Sequence, residues 1–168
     1  RPTYRFDILS DYGAFRDLQR HRLMTIEWQR LTPLHGFSRP PDLDEAGVAG
    51  RFDEAMDRSA ALHDVLAEPF PEQASYAVSL AYRIRYLMEM NAREAMHVIE
   101  LRTTPQGHPA YRDVCQQMHH LIADVAGHRA IAEMIRFADH SDEPEFERIE
   151  AERRVEKRRR ARGDATVG

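Results

Sequence analysis

The chain has 168 residues, 42% of them hydrophobic and 31% charged, with a formal net charge of −4. That is enough chain to bury a core, and its ordinary composition excludes a chain disordered throughout. No run of about 18 apolar residues is present, so no helix is expected to span a bilayer, and the mild acidity gives no global attraction to nucleic acid.

Tyr4, Phe6 and Ile8 alternate with Arg5 and Asp7, the period of a half-buried strand. Ser10 or Asp11 then caps a short helix with Phe15 and Leu18 on one face. Met24, Ile26 and Trp28 alternate with Thr25, Glu27 and Gln29 as a second strand. Pro33 to Pro41, with three prolines and a glycine, is expected to be a loop. Val48, Phe52, Met56, Leu62 and Leu66 are expected to form one helical stripe ending before Pro69 and Pro71. A second long helix is expected from about Glu72 to Arg102, with Leu80, Ile84, Leu87, Met88, Ala95, Val98 and Ile99 as its stripe.

Pro109 is suited to the first turn of a third helix, whose stripe is Tyr111, Val114, Cys115, Met118, Leu121, Ile122 and Val125. Gly127 stops or kinks it, and a fourth segment carries Ile131, Met134, Ile135 and Phe137. From Ser141 the composition shifts to Glu and Arg. Residues 1–140 therefore read as the domain, and residues 141–168 as a charged, solvated helix and tail. The chain begins at Arg1 and is expected to be a fragment or processed product. Cys115 is the only cysteine, so no internal disulfide forms, which fits a cytoplasmic protein.

Of the 24 basic residues only Lys157 is a lysine. Codon bias accounts for much of that, although arginine is also the better fork for phosphate, carboxylate or a ring face. Arg20-His21-Arg22 crowds three cationic groups between the first helix and second strand. Such a cluster suits a phosphate or the electron-rich end of a flavin; a solvated turn is the alternative. Asn91, Ala95, Val98 and Arg102 fall on one apolar helical face, where polar groups need partners or a cavity. His120, Asp124 and His128 are spaced four apart, but Gly127 interrupts them and no metal site is expected. The run Lys157 to Arg162 reads as a charged helix end, since Phe146 is the sole aromatic near it and base stacking has no platform.

Arg20-His21-Arg22 in RHRLMTIEWQR, followed by NAREAMHVIELR from Asn91 to Arg102, resembles the paired motifs of the flavin-dependent thymidylate synthases. TTPQGHPAYRDVCQQM resembles the segment that follows, and the likeness covers most of residues 4 to 138. It implies an α+β fold, mostly helical with a small N-terminal antiparallel sheet. It implies FAD contacts from Arg20, His21, Arg22, the Leu23 backbone, Asn91 and Arg93, with His97 where the family has a second Asn. Gln19, Arg20, Arg30 and Arg102 would meet the uracil nucleotide, Arg102 being the residue that activates it. The implied reaction is reductive methylation of dUMP to dTMP, with methylenetetrahydrofolate giving the carbon and NADPH recharging the flavin.

The chain departs from the pattern at several points. The Ser after Arg-His-Arg is Arg30, the preceding Asn-Glu pair reads Glu27-Trp28, and the second nucleotide-binding Arg falls on Ser75. Only 19 residues precede Arg20. A degenerate half of a two-domain chain, assembling as a tetramer or pseudo-tetramer, accounts for that pattern. A relative that binds flavin or nucleotide without catalysis, or only completes an assembly, is the alternative. A nucleic-acid module built on the Arg tail is a distant third.

Overall fold

A computed structural model of the protein describes residues 2–141 together with Arg153, Glu156 and Lys157. The chain forms two compact units, Arg1–Glu94 and Ala95–Gly168.

The first unit contains strand β1 (Thr3–Asp11), helix α1 (Tyr12–Leu18), strand β2 (Thr25–Trp28), helices α2 (Asp42–Glu45) and α3 (Ala49–Ala67) and strand β3 (Arg83–Asn91). Helix α4 (Ala92–Arg102) begins in it, directly after β3. The three strands form an antiparallel sheet in the order β1-β3-β2. The long helix expected from Glu72 to Arg102 is therefore a correction. Its first half is a 3-10 turn (Ala74–Ala77) and the central strand of the sheet, and only Ala92–Arg102 is helical. Ile84, Tyr86, Met88 and Met90 are all buried and alternate with Arg83, Arg85, Leu87 and Glu89. Two strand partners pair this backbone, which outweighs the helix preference of its Met, Leu, Arg and Glu.

The register sets Tyr4, Phe6, Ile8 and Ser10 opposite Met90, Met88, Tyr86 and Ile84 on the buried face. The Tyr86 hydroxyl shares a 3.0 Å hydrogen bond with Ser10, and Phe15 from α1 meets the Tyr86 ring edge-on at 4.8 Å. The opposite face is open and carries ion pairs between Arg5 and Glu89 and between Arg85 and Asp7. The Asp11 carboxylate caps α1 by accepting from the Ala14 N–H at 2.8 Å.

Around Met56, Val78 and Tyr82 a second cluster gathers Leu31, Phe37, Phe52, Ala60 and Ala81. The Tyr82 hydroxyl donates to the Met56 carbonyl and orients the ring within it. Leu62 is half exposed rather than on this stripe, because it lies well round the helix from Met56 while Ala60 is one turn on. The proline-rich loop contains one 3-10 turn, Pro33–His35.

In the second unit, α4 continues with Ala95, Val98 and Ile99 buried. Helix α5 (Pro109–Asp124) starts at the proline as expected, and α6 (Arg129–Met134) follows. Gly127 sits at φ +69°, a backbone shape that favours glycine, and turns the chain between them. The buried face of α5 is Arg112, Cys115, Met118 and Ile122. Leu121 and Val125, expected on that stripe, are exposed. The Arg112 guanidinium donates to the carbonyls of Thr103 and Ser141, both at 3.0 Å, which satisfies its charge inside the unit. Arg153, Glu156 and Lys157 are helical and exposed; the rest of the expected C-terminal helix, with the Arg run from Arg158, lies outside the described residues. Among the described residues no helix is long and apolar enough to cross a membrane.

Candidate functional site

Leu18, the last residue of α1, is fully buried, and the chain turns directly after it. The Gln19 N–H donates to the Phe15 carbonyl at 2.9 Å and the His21 N–H to the Leu18 carbonyl at 3.2 Å. Leu18–His21 is therefore a tight turn held by its own backbone, and Arg20-His21-Arg22 runs out of its end. The side chains divide. Gln19, Arg20, Arg22 and Leu23 are exposed, with Arg20 3.3 Å from Asp17. His21 is buried, and its Nδ1 lies 3.6 Å from the Glu94 carboxylate, which is equally buried.

Glu94 is in the first turn of α4, where a carboxylate also suits the positive end of the helix. The His21–Glu94 pair thus ties the basic turn to the start of α4. His21 faces inward as the tie, and the exposed members of the triplet are the arginines.

Asn91 ends β3 and caps α4. Its Oδ1 accepts from the backbone N–H groups of Arg93 at 3.0 Å and Glu94 at 3.1 Å. The shared helical face expected of Asn91, Ala95, Val98 and Arg102 is corrected accordingly, since Asn91 precedes the helix. With the oxygen committed, the amide NH2 is the end that can meet a ligand, and Arg93 beside it is exposed. The signal for this boundary was present: Asn91-Ala92-Arg93-Glu94 has capping-box spacing. Glu94 is the residue that sequence reasoning missed.

Other expected residues stand elsewhere. The Arg30 guanidinium donates to the Pro71 carbonyl and lies 3.4 Å from Glu72. Ser75 sits half-buried in the 3-10 turn Ala74–Ala77. In the second unit His97 is exposed on α4. Arg102, in the last turn of α4, is half-buried with its guanidinium carbon 5.5 Å from the centre of the Tyr111 ring. Burial pushes the Cys115 thiol up to about 12, against the opposing pull of the Arg102 charge, so it is no nucleophile at neutral pH. His120, Asp124 and His128 are all exposed, and among the described residues no group of three or more metal-ligating side chains is found.

The turn and the helix start together offer donors: the guanidinium groups of Arg20, Arg22 and Arg93 and the Asn91 amide NH2. Such a set suits a ligand rich in acceptors and negative charge.

The chain is similar to proteins from other organisms. It is 40% identical over 139 residues to a UPF0159 protein of Chlamydia muridarum, covering 83% of this chain and 26% of that one. It is 40% identical over 138 residues to one from Chlamydia pneumoniae, covering 82% and 25%, and 38% identical over 144 residues to one from Thermoplasma acidophilum, covering 84% and 28%. The chain thus spans about a quarter of the length of these relatives. A family model described as thymidylate synthase complementing protein matches residues 1–128, motif turn and helix start included, and the chain belongs to that family.

Proposed function

We propose that the chain provides FAD- and nucleotide-binding residues of a thymidylate synthase-type enzyme that converts dUMP to dTMP with methylenetetrahydrofolate and NADPH. The buried His21–Glu94 pair carries this reading, because it joins the two motifs that the flavin requires. The donor set fits the cofactor. Arg20, Arg22 and Arg93 suit its phosphates and the electron-rich end of its ring, and the Asn91 amide and Leu23 N–H suit ring carbonyls. His21 acts through the turn it holds. FAD, when bound, supplies the hydride. Arg102 holds the uracil base and stabilises negative charge developing on it, and Gln19 and Arg20 are proposed as further nucleotide contacts. Sites of this kind are completed by other subunits, and a tetramer or pseudo-tetramer is proposed.

One observation favours a second reading. Arg30 is engaged with the Pro71–Glu72 segment, and Ser75 replaces a nucleotide-binding arginine, so a relative that binds flavin without forming dTMP is the competitor. The test is the visible absorption spectrum of the purified protein with FAD, then with dUMP. A flavin band that weakens in Arg20→Ala and shifts on adding dUMP supports the enzyme. A band insensitive to dUMP, with no dTMP formed, selects the second reading. No bound flavin at millimolar FAD rejects both.

A further inference from the structure

Arg102 stands in the last turn of α4, and an arginine side chain loses rotamer entropy to the extent that a ligand fixes it. Beneath it the second unit builds a shelf. The chain leaves α4 at Arg102 and re-enters a helix at Pro109. The intervening loop is tight, with the Gly107 N–H donating to the Thr104 carbonyl at 2.8 Å. A Cβ at Gly107 would stand 2.8 Å from the edge of the Tyr111 ring, 3.0 Å from Cγ of Arg112 and 3.0 Å from the Thr104 carbonyl. The glycine therefore lets the Tyr111 ring lie down against the loop. The His108 ring, 6.3 Å away and tilted 42°, borders it on the helix side.

Arg112, the next residue, is fixed by the Thr103 and Ser141 carbonyls and lies 3.5 Å from Asp139. That anchors the first turn of α5 and with it the backbone of Tyr111. The ring so held is the surface above which the Arg102 guanidinium lies. An arginine on an aromatic face keeps its charge and its in-plane N–H donors while losing rotational freedom.

The geometry points to Tyr111 as a positioning residue that pre-orients the Arg102 guanidinium for a planar, anionic ligand. Its extension to the uracil nucleotide rests on the function proposed above. Arg102 is the group that touches the ligand, and Tyr111 acts only through it. Preorganisation of this kind reduces the ordering cost of binding and leaves the contacts unchanged.

The test separates the shelf from the ligand. Arginine side-chain Nε–Hε signals are recorded on the native chain, Tyr111→Phe and Tyr111→Leu without any ligand. The Arg102 signal is expected to be rigid in the native chain and Tyr111→Phe, and to gain fast motion in Tyr111→Leu. Titration with dUMP in the presence of FAD is expected to give a Kd raised about 5- to 30-fold in Tyr111→Leu and within about threefold of native in Tyr111→Phe, the range of a single cation–π contact. In an Arg102→Lys background, which keeps the charge but loses the plane, Tyr111→Leu is expected to add little further loss. That cycle also answers the case in which Tyr111→Leu folds poorly, since a packing defect would cost the same in both backgrounds. An Arg102 signal equally rigid in Tyr111→Leu overturns the inference. So does an additive cycle. A native chain that binds no dUMP while its Arg102 signal still loosens in Tyr111→Leu supports the shelf and overturns the nucleotide reading alone.

Discussion

The Asn91 carbonyl oxygen is committed to two backbone N–H groups, which leaves the amide nitrogen as the end that can meet a ligand. The two roles are separable by changing one atom. Asn91→Asp keeps an acceptor at the cap and removes the donor, so its urea midpoint is expected to stay close to native while FAD binding weakens. Asn91→Ala removes both, and a stability loss of about 0.5–2 kcal/mol is expected besides. Equal stability of the alanine and native chains in urea unfolding would show that the cap contributes nothing. At this scale the sequence was legible where chemistry concentrates. Arg20-His21-Arg22 and Asn91-Ala92-Arg93 are conspicuous as residue types. The inward turn of His21 was not legible, because its partner Glu94 is 73 positions away and every glutamate looks alike in a charged chain.

The elements explain which patterns could be read. β1 alternates cleanly, and Asp11 caps the following helix, so both emerged from local rules. β3 did not. No Gly or Pro separates Arg83 from Arg102, and Met, Leu, Arg and Glu all suit a helix. Only pairing with β1 and β2 makes it a strand, and pairing is not a local property. Met88, fully buried between Phe6 and Ile26 in the register, is the place to test this. Met88→Ala is expected to cost about 2–5 kcal/mol, whereas Leu62→Ala on the open side of α3 changes stability by no more than about 0.5. Urea denaturation of both variants decides it.

The segment after α6 is held differently. His119 Nδ1 and His140 Nε2 lie 2.8 Å apart, the His120 ring is 4.8 Å from His140, and Asp139 adjoins. Burial, then the neighbouring His119 and His120, holds His140 below the usual histidine value of 6.5, against the opposing pull of Asp139. Folding thus favours its neutral form, and the stability it contributes is lost as pH falls below that value. Burial alone would raise Asp139, but the Ser141 hydroxyl and N–H, Arg112 and His140 outweigh it and hold the carboxyl below 3.8, so a further loss follows at lower pH. Tm is expected to fall between pH 8 and pH 5, with a shallower fall in His140→Gln. An unchanged pH profile in that variant would remove the histidine cluster from the account.

For the whole molecule, a net charge of −4 coexists with a basic turn at Arg20-His21-Arg22, so any anionic ligand of that turn would be drawn by the local field and not by the total. Any ligand that meets only the folded chain stabilises it by mass action. At about 100 times its Kd, FAD is expected to add roughly 2.7 kcal/mol. For a chain of this size that is a rise in Tm of about 5–10 °C. Calorimetric scans with and without FAD measure it, and a Tm unmoved by saturating FAD contradicts the flavin reading.

The sheet has a further consequence during synthesis. β1 is made first, yet its partner is the central strand, and Arg5 meets Glu89 across 84 positions of chain. β2 also waits for β3, since it does not pair with β1. At about 5–20 residues per second a ribosome takes several seconds to supply the missing strand. Throughout that delay Tyr4, Phe6 and Ile8 lack their partners in β3, and the nascent chain offers chaperones an apolar strand edge that is covered once Asn91 has emerged.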